Sequence, residues 1–235
     1  MDIRGFIRTS LVDWDGEVVS TIFAPGCNFD CGFCYNHALV HHPETLKQIS
    51  EETVLDYLKN NSDFVDGICI SGGEATLQKD LYAFCRKVKE IGLKVKLDTN
   101  GSNPAILKKL IKDKLVDYVA MDVKAPLSAE EYEKVIGVKN NYLLDNVKES
   151  IRTLLNSDVD YEFRTTVVPT LHTEAKIKEM ARSLAGCKKY VLQKFQPENA
   201  YDEKLRKERI QSDEEMGGLV KIIKKDVPNA RWRGK

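Results

Sequence analysis

Residues 18–34 read Val18-Val19-Ser20-Thr21-Ile22-Phe23-Ala24-Pro25-Gly26-Cys27-Asn28-Phe29-Asp30-Cys31-Gly32-Phe33-Cys34. The run from Val18 to Ala24 is apolar and β-branched, the pattern of a strand, and Pro25-Gly26 is a breaker pair that ends it. The cysteines, spaced C-x3-C-x2-C, therefore sit on a loop leaving the C-terminal end of a strand, where a parallel α/β protein keeps its chemistry. Thiolates this close can wrap one soft metal centre. A structural zinc site or a closed iron–sulfur cluster takes four protein ligands, so three cysteines suggest a 4Fe–4S cluster with one iron open to another ligand. The same residues allow blander readings. His37, three positions after Cys34, would complete a zinc site of three cysteines and a histidine, and unrelated buried cysteines would need no metal.

On either side of this loop, strand and helix signals alternate. Ser50 is an N-cap candidate for a helix whose apolar face is Val54, Leu55 and Leu58. Asp66–Ser71 reads as a short buried strand followed by Gly72-Gly73-Glu74, and a helix over 79–91 ends at Gly92. The run 93–97 alternates apolar residues with lysine and reads as a strand closed by Asp98-Thr99-Asn100-Gly101. Pro104 opens the next helix. Strands follow over 118–124, 161–168 and 190–195, with helices near 128–135, 143–155, 173–185 and 213–225 and a short terminal strand over 230–233. The charged stretch 201–209 reads as a solvated loop or helix.

This order gives six βα units over about 18–200, a cluster loop over 25–37, and a C-terminal helix and tail over 201–235. Repeated βαβ order implies a parallel sheet with outer helices and right-handed crossovers. Six units are too few to close an eight-stranded barrel, so the expected fold is a partial (β/α)6 barrel, in a single domain spanning 1–235.

Composition narrows the setting. The chain of 235 residues carries 36 Lys+Arg against 36 Asp+Glu, so no global basic field points to nucleic acid. No apolar run approaches the ~20 residues of a membrane span, and Met1-Asp2-Ile3-Arg4-Gly5 lacks an apolar signal region. A cytoplasmic location is expected, where clustered cysteines mean metal or catalysis rather than disulfides. Cys69, Cys85 and Cys187 read as packing residues, the first in a strand interior and the second on a helix face with Leu81, Phe84 and Val88.

Polar groups recur at or near the strand ends: the three cysteines, Gly72-Gly73-Glu74, Asp98 and Asn100, Asp122 and Lys124, Arg164, His172 and Gln193. In a parallel barrel these ends share one face. Gly72-Gly73 would let a ligand lie against bare backbone as an added strand, and Glu74 suits an ammonium group. Asp98 and Asn100 are acceptors for ribose hydroxyls or a cation, which Asp98 and Asp122 would share. Lys124 and Arg164 would hold carboxylates, and His172 would orient a ligand or stack beside it. An open iron, an ammonium site, a backbone groove and ribose acceptors together describe S-adenosylmethionine bound to a cluster.

The cysteine spacing followed by an aromatic and Asn36, with Ser71-Gly72-Gly73-Glu74, resembles the radical S-adenosylmethionine superfamily. Gly72–Gln78, Lys96–Gly101 and Met121-Asp122-Val123-Lys124 resemble its glycyl-radical-enzyme activases. Leu11–Gly16, Phe163–Pro169 and Leu192–Pro197 resemble the branch named for activation of anaerobic ribonucleoside-triphosphate reductase. The resemblance covers nearly the whole chain. It implies that Cys27, Cys31 and Cys34 ligate a 4Fe–4S cluster whose open iron binds the methionine amine and carboxylate of S-adenosylmethionine. It implies reductive cleavage to methionine and a 5′-deoxyadenosyl radical, which takes hydrogen from a backbone glycine of a partner glycyl radical enzyme. An external one-electron donor such as flavodoxin or ferredoxin would reduce the cluster, and Phe29 and Phe33 would shield it. Six cysteines leave no room for an inserted two-cluster ferredoxin domain. The alternatives are a free-standing radical enzyme on a small molecule, similar to 7-carboxy-7-deazaguanine synthase, and a non-enzymatic metal module that only binds a partner. The tail Arg231-Trp232-Arg233-Gly234-Lys235 reads as packing, with a partner contact as its alternative.

Overall fold

The structure, a computed structural model, describes residues 1–234; Lys235, the end of the basic tail, lies outside them. The chain forms two compact units. The first comprises Met1–Asn28, Asn36–Thr99 and Asn103–Ala120, and the second comprises Phe29–Tyr35, Asn100–Ser102 and the chain from Met121 onward.

The first unit holds strands β1 (Gly5–Ser10), β2 (Val19–Ala24), β3 (Gly67–Gly72) and β4 (Lys94–Thr99), and helices α1 (His37–His41), α2 (Glu51–Asn60), α3 (Leu81–Ile91) and α4 (Pro104–Lys112). β2 and β3 run parallel from Val19 opposite Gly67 to Ala24 opposite Gly72, and β3 and β4 continue the parallel pattern. β1 is a departure from the expected all-parallel order, since it pairs antiparallel with β2. It was not legible because its side chains are mostly exposed or half-buried, so no apolar alternation marks it. The helices start and stop as their end residues dictate. Ser50 Oγ accepts the Thr53 amide at 3.1 Å, Pro104 occupies the first turn of α4, and Gly92 ends α3 at φ 93°. α3 buries Leu81, Phe84, Cys85 and Val88, each burial contributing about 1.5–3 kcal/mol for a side chain of Leu, Phe or Val size.

β5 (Tyr118–Asp122) runs from the first unit into the second. The second unit continues with α5 (Ala129–Ile136), α6 (Asn141–Leu155), β6 (Asp160–Val167), α7 (Glu174–Ser183), β7 (Tyr190–Lys194), α8 (Asp213–Ile223) and β8 (Ala230–Arg233). β6, β7 and β8 are mutually parallel. The tail is therefore a strand, with Trp232 opposite Leu192 and Arg233 donating to the buried Glu162 carboxylate at 2.6 and 2.7 Å. Lys189 joins the same carboxylate at 3.0 Å, so Arg233 is held against the buried Glu162. Cys69, Cys85 and Cys187 are buried, and burial pushes the Cys85 thiol up to about 12 and Cys187 to about 11. Neutral, inert thiols of this kind are packing residues. No helix among the described residues is long and apolar enough to cross a membrane.

Candidate active site

The first unit grips the start of the cysteine loop through its backbone. Parallel pairing of β2 with β3 runs past both strand ends: the Gly73 amide donates to Ala24 O at 2.9 Å and the Glu74 amide to Gly26 O at 2.7 Å. Gln78 Nε2 donates to Pro25 O at 2.9 Å, Asn36 Nδ2 donates to Gly72 O at 2.7 Å, and the Gly26 amide donates to Leu39 O at 2.9 Å. These bonds give Gly72 and Gly73 a role within the chain. A Cβ on Gly73 would stand 1.9 Å from Gly26 O, and one on Gly72, at φ 121°, would stand 2.3 Å from Ala24 O. The glycines are bare because the cysteine loop lies against them, and the Gly73 and Glu74 amides are already spent on it.

Glu74 is fully buried. Its Oε1 accepts from the Thr76 amide at 3.1 Å, from Thr76 Oγ1, and from Thr99 Oγ1 at 2.7 Å. These donors on one oxygen fix the carboxylate in place. Asn103 Nδ2 in turn donates to Thr76 O at 3.0 Å. Asp98 is held by the Lys96 ammonium and by Ser71 Oγ at 3.2 Å. The alternating pattern of residues 93–97 predicts solvent-facing lysines, but only Lys94 is exposed; Lys96 is 2% exposed and also reaches Cys69 Sγ at 3.5 Å. A buried ammonium needs a partner, and Asp98 is that partner.

In the second unit the later part of the loop is gripped in the same manner. The Asp30 amide donates to Ile136 O at 2.7 Å and the Asp202 amide to Gly32 O at 2.8 Å. Gly137, at φ 71°, lets Asp30 approach, since a Cβ there would stand 2.3 Å from Asp30 O. Phe29 packs edge-on against Tyr132 at 6.4 Å and Phe33 edge-on against His172 at 6.3 Å; both phenylalanines are buried. Tyr35 stacks on Phe195, and its hydroxyl accepts the Gln196 amide at 2.6 Å.

Asp122 receives Lys124 Nζ at 2.8 Å on one oxygen and Arg164 Nε at 2.8 Å on the other. Within its own unit each carboxylate has a protein cation beside it: Lys96 at Asp98, and Lys124 with Arg164 at Asp122. Lys124 Nζ also lies 5.7 Å from the Phe33 ring centroid. Burial works to lower its pKa, but the Asp122 carboxylate and the Cys31 and Cys34 sulfurs overcome this and raise it. The lysine is thus held as a cation facing Asp122 and two of the loop cysteines. Two cations on one carboxylate leave a net positive charge there.

His172, expected to meet a ligand, is given to the backbone instead. It is 3% exposed, its Nδ1 accepts the Val168 amide at 3.0 Å, and its Nε2 donates to Lys124 O at 2.8 Å. The Val168 donor fixes the proton on Nε2, and burial lowers the ring's pKa. The ring is a neutral strut tying the exit of β6 to the exit of β5. Asn100 is buried, and its Oδ1 accepts the Ser102 amide at 2.8 Å, a turn that Asn commonly makes. Sequence reasoning passed over Thr76, Thr99, Gln78 and Lys96. Thr76 and Gln78 lie within Gly72–Gln78, and Lys96 and Thr99 within Lys96–Gly101; the resemblance of both stretches was legible, but neither marks which side chains turn inward to a buried partner.

Parallel βα units with a thiol-bearing loop at the exit of the first parallel strand define an α/β enzyme that keeps its chemistry at the strand ends. The sequence profile of the Radical SAM superfamily matches residues 21–184, and the chain belongs to that superfamily. A Methanocaldococcus jannaschii protein named as a candidate glycyl-radical enzyme activating enzyme is 35% identical over 97% of this chain and 93% of its own length. The 7-carboxy-7-deazaguanine synthase of Methanospirillum hungatei is 30% identical over 65% of this chain and 59% of its own. The crystal structure of Streptococcus suis SuiB bound to S-adenosylmethionine has the same fold, with a TM-score of 0.69 at 14% identity over 91% of this chain; the chain spans 52% of SuiB. The protein is a radical SAM enzyme related to glycyl-radical enzyme activating enzymes.

This family implies a 4Fe–4S cluster and S-adenosylmethionine. The chemistry of the donor set fits them: three cysteines stand on one loop, and none of them is in a disulfide. Among the described residues, no three His, Cys, Asp or Glu side chains stand together as a cage for a single metal ion.

Proposed function

We propose that this chain activates a partner glycyl radical enzyme, of the kind represented by anaerobic ribonucleotide reductase, by taking a hydrogen atom from a backbone glycine of that partner. The observation that carries this reading is the 35% identity, over 97% of the chain, to a relative named for that activity. The whole chain works as one radical SAM core domain in the cytoplasm, with a flavodoxin- or ferredoxin-type electron donor.

Cys27, Cys31 and Cys34 hold the cluster, and the Lys124 cation favours the thiolate form that iron binds. When bound, the cluster with S-adenosylmethionine supplies one-electron cleavage of a carbon–sulfur bond and a carbon radical able to take hydrogen. The chain's own residues bind and orient. Glu74, locked by Thr76 and Thr99, presents a fixed carboxylate to the methionine ammonium, and Gly72 and Gly73 keep the loop at the distance the ligand needs. Asp98 and Asn100 stand for the ribose, each already oriented by a protein donor. The net positive charge on Asp122, Lys124 and Arg164 suits a carboxylate, with His172 acting behind Lys124 as a positioning residue. Phe29 and Phe33 exclude water.

The test is anaerobic reconstitution with iron and sulfide, dithionite reduction, and chromatography for 5′-deoxyadenosine, with Cys31→Ala as control. Product from the wild type and none from the variant is the expected result. A candidate glycyl radical enzyme then gains a glycyl signal by electron paramagnetic resonance. The 30% identity to a 7-carboxy-7-deazaguanine synthase favours the small-molecule alternative. A protein that turns over a small molecule of the kind 7-carboxy-7-deazaguanine synthase uses, and leaves every glycyl radical enzyme silent, would replace the activase reading.

A further inference from the structure

A cleft of about 400 Å³ lies in the second unit between the β6–α7 connection and α8, lined by Val167, Pro169 and His172 on one side and by Gln211, Gly218 and Leu219 on the other. Its volume falls in the range of small ligand sites, about 300–1,000 Å³. We propose that this cleft docks an extended peptide segment of a partner protein, which donates a backbone N–H to Gln211.

Gln211 is 5% exposed, and its Nε2 donates to Val167 O at 2.6 Å. That carbonyl fixes the amide's orientation, because the reverse placement would set two oxygens against each other. Among the described residues, Gln211 Oε1 is then a buried acceptor with no hydrogen-bond partner. Such an orphan costs about 1–3 kcal/mol and is relieved by a ligand donor. The charged groups around the cleft are already matched: Arg209 with Glu215 at 2.7 Å, and Glu174 with Lys178 at 2.6 Å. The remaining demand is for a neutral N–H rather than an ion.

α8 supplies a second, independent observation. It carries Gly217-Gly218 in its interior, although a Cβ at either position would meet nothing within 4 Å. Each glycine weakens the helix by about 1 kcal/mol relative to alanine, with no contact among the described residues that requires it. A bare helix surface beside an orphan acceptor allows another backbone to come close. Pro169, Leu219 and Ile222 give the walls apolar area, and Ile210, adjoining Gln211, is 55% exposed. An extended peptide presents N–H groups along its length and side chains to alternate faces, which matches a bare floor, apolar walls and one acceptor. His172 joins the cleft to the site, since it is among the residues lining the cleft and its Nε2 donates to Lys124 O.

The choice of a protein segment over a small molecule rests on the activase reading, so the test separates the two. A phage-displayed random heptapeptide library is selected on the reconstituted wild type with counter-selection on Gly218→Leu. Enriched peptides are synthesised and titrated by fluorescence anisotropy, and cleavage of S-adenosylmethionine is measured in parallel. The expected result is peptides that lose at least tenfold in affinity on Gly218→Leu and on Gln211→Leu, while both variants keep wild-type 5′-deoxyadenosine formation. No enrichment over Gly218→Leu, or peptides indifferent to both substitutions, overturns the docking proposal even if cleavage is intact. Enrichment only of peptides displaced by a sugar or amide small molecule equally overturns it, in favour of a small-ligand site. Absence of cleavage in the wild type instead strikes the functional reading and leaves the peptide titration to be judged by itself.

Discussion

Replacing Gly73 by alanine places a methyl group where the Gly26 carbonyl stands, since an ideal Cβ would lie 1.9 Å from Gly26 O and 2.7 Å from Gly26 C. Both of those atoms are backbone, so no side chain can swing away. The chain must part at this point, and the bonds closest to the clash are the Gly73 amide to Ala24 O and the Glu74 amide to Gly26 O. Ala24 and Glu74 are fully buried, so each lost bond leaves polar atoms unmatched at about 1–3 kcal/mol. The sum is about 2–6 kcal/mol out of a typical stability of about 5–15 kcal/mol. For a chain of this length each kcal/mol moves the melting temperature by about 2–4 °C, so a drop of roughly 4–24 °C is expected. Thermal circular dichroism under argon with a thiol reductant measures it. Gly218→Ala is the matched control: that position is helical with open space around its Cβ, so the change should stabilise by up to about 1 kcal/mol. A Gly73→Ala protein melting within about 2 °C of wild type would refute the close-approach account and return these glycines to a ligand-facing role.

Lys96→Met strands the Asp98 carboxylate and should cost about 3–5 kcal/mol by urea denaturation, most of it recovered when Asp98→Asn is added; two additive losses would mean the pair is not coupled. Thr99→Val removes one of three donors from buried Glu74 and should cost about 1–3 kcal/mol, with weaker S-adenosylmethionine binding by isothermal titration and normal iron content. His172 has a lowered pKa in the fold, so between that value and its ordinary value of about 6.5 the unfolded chain binds more protons. Its contribution is therefore present above pH ~6.5 and lost as pH falls through the folded value. His172→Gln should flatten the fall of melting temperature on the acid side, and an unchanged slope would assign that fall to other groups. Lys124→Met should lower the iron bound after reconstitution, since Cys31 and Cys34 lose a neighbouring cation; wild-type iron content would remove Lys124 from that role.

The sequence by itself determined the βα order, the cysteine loop at a strand exit and the identity of the superfamily. Each of these is carried by local signals: β-branched runs, breaker pairs such as Pro25-Gly26, cap residues such as Ser50, Pro104 and Gly92, and fixed cysteine spacing. Tertiary structure decided what the polar residues do. Gly72 and Gly73 are bare for the cysteine loop, Lys96 is turned inward to Asp98, and His172 is consumed by two backbone partners. It also decided the antiparallel β1, which lacks an apolar face of its own, and the orphan acceptor of Gln211 beside a bare helix. The physical reason is common to all of these. Periodicity records which face of an element is buried, whereas the partner of a buried polar group comes from residues far along the chain, and only the folded backbone brings them within hydrogen-bonding distance.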